Sequence, residues 1–232
     1  MSVQTRSVDE IVRGLGTGSA GELVVRYRTG VGLLDRRLFE LSPEQEDARF
    51  EADSGMGIWS VRTLVGHLCD TELVYSHRIR RAVAEDQPVL ADWDEDSFID
   101  GGLYAAGSGH AGLREAPPVG GFVAMLYTTR QWQGEWLERL GPEAWARGAM
   151  HPWYGDVTLH DLVSVVTWHF EHHASILRKK LDHLVGPMEA AGCCSSGGGC
   201  ACEAEGKAKP EGGGCCNGSG GGGGCSDNAE GG

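Results

Sequence analysis

Apolar side chains recur every three or four residues in four stretches of the chain. Leu23, Tyr27, Val31, Leu34, Leu38 and Leu41 form the first stripe. Val61, Leu64, Val65, Leu68, Glu72, Tyr75 and Ile79 form the second, and Phe122, Leu126, Gln133, Leu137 and Leu140 a less regular third. The fourth runs through Leu159, Leu162, Val166, His169, His173, Ile176 and Leu177. This is the period of an amphipathic helix. Stops are legible at Leu41-Ser42-Pro43 and Leu140-Gly141-Pro142, where proline cannot continue a helix. No set of paired strands can be read. Four helices with one apolar stripe each predict an all-α protein, a four-helix bundle over residues 1–187. The connection from about Asp86 to Pro118 is long enough to expect short helical turns and a functional role.

The fourth stripe breaks its own rule. In "WHFEHHASI", Trp168 to Ile176, His169 and His173 take two consecutive inward positions, while Ser164, Glu171 and Ser175 fall on the expected solvent side. Residues at i and i+4 share a helix face, so both imidazoles can reach one metal ion. His67 borders the apolar face of the second helix and is the candidate third ligand. Three protein ligands with open positions are a catalytic arrangement more than a structural one. The plainer alternative, hydrogen-bonded core histidines, needs a buried partner for each ring. His172 lies beside the seam and can face either way. A zincin motif is excluded, because Glu171 comes two residues after His169 and the spacing is not His-Glu-x-x-His.

Charge narrows the partners. The chain has 232 residues and a formal net charge of −13, which repels nucleic acid and anionic membranes. Neither a signal-peptide core nor a run of membrane-spanning length is present, so the expected compartment is the cytoplasm. "GTGSAG" (16–21) fits a Gly-rich nucleotide fingerprint in spacing only, since no strand precedes it. Cys69, beside Leu68, reads as a small core residue.

The segments "WSVRTLVGHLCDTELVYSHRIRRAVAEDQPVLADWDEDSF" (59–98) and "HPWYGDVTLHDLVSVVTWHFEHHASILR" (151–178) resemble the DinB-like superfamily. The likeness is to its YfiT branch, which includes bacillithiol S-transferases; mycothiol-dependent transferases and maleylpyruvate isomerase share the superfamily. It rests on Trp59, His67, Asp70 and Arg78, on "EDQPVL…WDEDSF", on the His151-Pro152, Gly155 and Thr158-Leu159 lead-in, and on Trp168-His169 with His172-His173. The resemblance spans about 20–183. It implies a four-helix bundle holding a divalent metal (Zn, Ni or similar) on His67, His169 and His173, and in some members a homodimer. It also implies a small-molecule thiol cosubstrate and an electrophile, joined by a metal-dependent thiol S-transferase of bacillithiol or mycothiol type, or a hydrolase. Low Lys with high Arg, Ala and Gly leans toward mycothiol. Arg78 and His151 are the candidates to bind the cosubstrate. Arg78 would orient an anionic group or form a structural ion pair, and His151 would approach the bundle mouth or serve as a turn element. Trp93, Phe98, Trp153 and Tyr154 are pocket candidates. The branch often carries a further His where this chain has Glu72. Glu72 is open between a supporting or ligating oxygen and an ion pair to an arginine such as Arg78. Asp70 reads as a supporting group rather than a ligand.

The composition changes sharply after Pro187. Residues 188–232 are Gly-rich and hold seven of the eight cysteines: Cys193, Cys194, Cys200, Cys202, Cys215, Cys216 and Cys225. With almost no large apolar side chains, this segment is expected to be a disordered tail unless metal folds it. Dense thiols favour soft metals or metalloids. Two classes of function therefore stand: a metal-dependent enzyme centred on three histidines, and a soft-metal or metalloid binding or resistance protein acting through the tail.

Overall fold

The computed structural model describes residues 6–188. The seven cysteines from Cys193 to Cys225, and the expectations attached to them, lie outside the described residues. Helices α1 (Val8–Leu15) and α2 (Ala20–Thr29) are followed by 3-10 turns at Gly30–Leu33 and Arg36–Glu40. Then come α3 (Pro43–Glu46), α4 (Val61–Ala84), α5 (Glu95–Asp100), α6 (Val119–Leu137), α7 (Pro142–Trp145), strands β1 (Gly148–His151) and β2 (Gly155–Thr158), and α8 (Leu159–Val185). Local sequence explains the starts. Ser7 with Glu10, Ser19 with Glu22, and Thr158 with Asp161 each satisfy the orphan amides of a first turn reciprocally. α8 stops at Gly186, whose φ of 83° suits glycine.

The bundle is a ring of four. α4 packs on α6 and α8, and α2 packs on the same two helices. Its apolar interior divides in two. One cluster joins Ile11, Leu23, Tyr27, Ile79, Leu137 and Val166, and the other joins Leu38, Leu64, Leu68, Leu126, Phe170 and Leu177. Between them along the helices lies a buried polar layer: Thr71 and Glu72 on α4, Arg130 and Gln133 on α6, and His169 on α8. No helix among the described residues is long and apolar enough to cross a membrane.

The structure departs from the periodicity in three places. The first stripe is not one helix, because α2 ends at Thr29 and the chain tightens into 3-10 turns. Gly30 and Gly32 weaken the helix there, and Gly30 is needed small, since a Cβ would lie 2.8 Å from Arg130 Nη1. Two short strands form an antiparallel hairpin, with Ala149 opposite Val157 and His151 opposite Gly155. Four-residue strands hold too few alternations to register as a period-2 pattern. Ser164 is fully buried rather than solvated, because α8 is covered from more than one side and α1 is among the helices packed on it.

Gly66 precedes His67 and lies under the Tyr104 ring, where a Cβ would come within 2.4 Å of Cδ1. The Tyr104 hydroxyl donates to Asp70 one turn further along α4, so this ring docks the 101–118 connection on α4. Gly66→Ala is therefore expected to destabilise the fold by about 1–3 kcal/mol, the usual cost of overpacking. Urea denaturation checks this; an unchanged midpoint would mean that the connection yields freely.

Candidate metal centre

His67 faces His169 and His173 across the α4–α8 interface. One nitrogen from each ring lies within 4.8 Å of the others, and all three residues are buried. The Nε2 atoms of His67 and His169 are 3.2 Å apart. Tetrahedral zinc with Zn–N near 2.0–2.1 Å places ligand nitrogens about 3.3–3.4 Å apart, so these two need almost no movement to share an ion. The hydrogen-bond inventory argues the same way. Nδ1 of His67, Nδ1 of His169 and both nitrogens of His173 have no protein partner. Buried polar atoms are costly without one, and the plainer reading of three satisfied core histidines fails here. A metal ion would satisfy one nitrogen on each ring.

Aromatic walls fix the rings. The centroid of Trp59 is 4.9 Å from that of His67, and Trp59 stacks on His173 at 6.0 Å. Trp93 stacks on the His67 ring at 5.7 Å. Trp59 is in turn held from α8, where buried Lys180 donates to the carbonyls of Gly57 (3.1 Å) and Trp59 (2.7 Å). Burial lowers the Lys180 amine to about 8. His172 is exposed and stacks on Trp168 at 5.4 Å, outside the cluster.

The other expected residues sort clearly. Of the two readings open for Glu72, the ion pair to an arginine is the one the structure shows, with Arg130 in place of Arg78. The Glu72 carboxylate accepts from the Tyr27 hydroxyl and, at 2.8 Å, from Arg130 Nε. Arg130 is fully buried and also donates to the carbonyls of Tyr27 and Val166. Asp70 binds the Tyr104 hydroxyl and supports the loop. Arg78 and His151 do come together, with Nη1 and Nε2 3.1 Å apart. They line a cavity of about 60 Å3 beside His169, with Trp93, Trp153 and Tyr154. Phe98 does not line it but packs edge-on against Trp93. The hairpin reaches the connection through Leu90 N to Met150 O (2.9 Å) and Met150 N to Pro88 O (2.9 Å). That pairing brings Trp93 and Glu95 over the histidines. Glu95 Oε2 stands 4.0 Å from His67 Nε2, and burial raises its carboxyl above the usual range. Sequence reasoning passed over Glu95 because Asp92, Asp94, Glu95 and Asp96 crowd one acidic run. Arg130 was missed as well, although it continues the stripe of Leu126, Gln133 and Leu137.

Burial lowers His67 and His151 to about 4 and holds His169 and His173 well below their ordinary value. All four rings are thus neutral near pH 7, the form a metal requires. Unfolding exposes them at about 6.5, so below that pH the unfolded chain binds more protons than the folded one. Their contribution to stability is complete above about pH 6.5 and falls as the pH drops toward 4. The slope is about 1.4 kcal/mol per pH unit for each proton taken up. Chelator-treated protein should show this loss in denaturant titrations between pH 7 and 4.5; a flat profile would contradict the buried neutral state.

A sequence profile for the DinB superfamily matches residues 27–177. A candidate metal-dependent hydrolase of Oceanobacillus iheyensis is 24% identical over 141 residues, covering 61% of this chain and 73% of that protein. YfiT of Bacillus subtilis, also named a candidate metal-dependent hydrolase, is 24% identical over 128 residues, covering 55% and 66%. The solved structure of YfiT, described as a four-helix bundle of unusual topology, superposes with a TM-score of 0.58 at 20% identity, over 72% of this chain and 88% of that one.

Proposed function

Because the chain belongs to the DinB superfamily, we propose that it is a metal-dependent enzyme using His67, His169 and His173 to activate a small nucleophile against an electrophile. S-transfer from a low-molecular-weight thiol is the first reading. Hydrolysis is the second, favoured by the names of the relatives. The observation that carries the proposal is the convergence of three buried imidazoles whose nitrogens have no hydrogen-bond partner apart from one another, His67 Nε2 facing His169 Nε2 at 3.2 Å. A divalent metal held there supplies Lewis acidity, which favours the deprotonated form of a thiol or of water at neutral pH.

The chain's own groups do the rest. Trp59 and Trp93 keep bulk water from the His67 ring. Glu95 Oε2, on the cavity side of His67, is placed to take the nucleophile's proton, and its raised pKa suits that transfer. Glu95→Gln keeps the shape and removes the base. It is expected to lower kcat by roughly 10²–10⁴-fold with metal content unchanged. The test is product formation by metal-loaded protein from monochlorobimane, with and without mycothiol or bacillithiol, beside an ester-hydrolysis assay. Thiol-dependent conjugation supports S-transfer, thiol-independent ester cleavage supports hydrolysis, and inactivity in both with metal bound would contradict the enzyme reading.

A further inference from the structure

Four arginines are buried in this fold: Arg37, Arg62, Arg78 and Arg130. Three have carboxylate partners, namely Asp35 and Asp182 for Arg37, Glu46 and Asp47 for Arg62, and Glu72 for Arg130. Arg78 is the exception. Among the described residues no carboxylate reaches ion-pair distance of its guanidinium. Nη2 donates to the Ala91 carbonyl at 2.8 Å, the Tyr75 ring covers the group at 5.0 Å, and Nε has no partner. A buried cation without a counter-charge is costly.

His151 makes the imbalance specific. Its Nδ1 accepts from the backbone amides of Trp153 (3.2 Å) and Tyr154 (3.4 Å). A neutral ring has one N–H, so accepting at Nδ1 places the proton on Nε2. Nε2–H then faces Arg78 Nη1–H across 3.1 Å, two donors with no acceptor between them. The other tautomer turns Nδ1–H against two backbone amides. An oxygen entering from the cavity and accepting from both groups removes the conflict.

We propose that Arg78 and His151 form an anion subsite that holds a carboxylate of the substrate beside the three-histidine centre. The inference rests on reading this cavity as the substrate site, because His169 lines it too. A monovalent carboxylate suits it better than a phosphate. About 60 Å3 takes a small group while the rest of the molecule extends to the mouth. Asp92 and Glu95 also line the cavity and would repel a dianion. Asp92 is solvent-exposed and accepts from the Trp93 amide at 2.9 Å, and Glu95 lies toward His67, so neither neutralises the guanidinium. A planar guanidinium matches a carboxylate fork in geometry.

The test is calorimetric titration of the metal-loaded full chain with butyrate, butyramide and inorganic phosphate, repeated on Arg78→Met, His151→Phe and the His169→Ala/His173→Ala double variant. Saturable butyrate binding is expected, weaker by roughly 10-fold or more in Arg78→Met and in His151→Phe and retained in the double variant. Should Arg78→Met fail to fold by circular dichroism, His151→Phe supplies the same readout. Equal binding of butyramide, or tighter binding of phosphate, would overturn the carboxylate assignment. Loss in the double variant with retention in Arg78→Met would place the carboxylate on the histidine centre and overturn the subsite. A parent chain that takes up no divalent metal yet binds butyrate through Arg78 would refute the metal reading alone and leave the subsite standing.

Discussion

Replacing His169 with alanine is expected to reduce divalent-metal affinity more than 100-fold and to take activity with it. Losing a group that only supports a ligand costs 10–100-fold in comparable sites, and His169 is one of the three candidate donors that the described residues bring together at this centre. The scaffold should survive. The histidine nitrogens contribute no protein hydrogen bonds that alanine would forfeit, apart from the close approach of the His67 and His169 Nε2 atoms. The metal-free variant should therefore unfold no more easily than the metal-free parent, and relief of orphaned polar atoms can make it more stable. Isothermal titration with Zn2+ and thermal melts on chelator-treated protein separate the two effects. Unaltered affinity would show that the histidines are not ligands.

The second large effect belongs to the polar layer. Arg130→Met leaves Glu72 buried without its cation, and Glu72→Gln leaves Arg130 buried without its anion. Each is expected to cost about 3–5 kcal/mol, because an uncompensated charge remains in the core. Arg130 also spans the bundle, donating from α6 to Tyr27 on α2 and Val166 on α8 while its guanidinium lies 3.9 Å from the Phe170 ring centroid. The double variant should lose less than the sum of the two, with a coupling of about 0.5–3 kcal/mol. A urea double-mutant cycle measures this; strict additivity would mean that Glu72 and Arg130 act independently.

The features that were legible in the sequence share a cause. His169 and His173 stood out because they violate an apolar stripe at a spacing of four, and His67 because it borders the facing stripe. Helix periodicity turns such violations into neighbours in space. Glu95 was hidden because its position depends on the pairing of residues 88–90 with β1, a non-local contact of an irregular segment that leaves no period to read. Arg130 and Lys180 sit at inward positions of their helices and violate the pattern as His169 does, but long cationic side chains commonly reach solvent from a helix edge. The fold provides buried acceptors for both: the Glu72 carboxylate for Arg130, and the carbonyls of Gly57 and Trp59 for Lys180. The short α1 had a signature that went unread: Ser7 three residues before Glu10, and Gly16 as its C-cap in the left-handed region.

Whether the three histidines hold a catalytic metal is decided most directly by elemental mass spectrometry on anaerobically purified protein. Three forms suffice: the full chain, the full chain with its seven tail cysteines changed to serine, and that cysteine-free form carrying His169→Ala and His173→Ala. Near one divalent metal per chain in the cysteine-free form, lost in the histidine variant, is the expected result. A cysteine-free form without metal, beside a loaded full chain, would contradict the three-histidine centre and move metal binding to the cysteines.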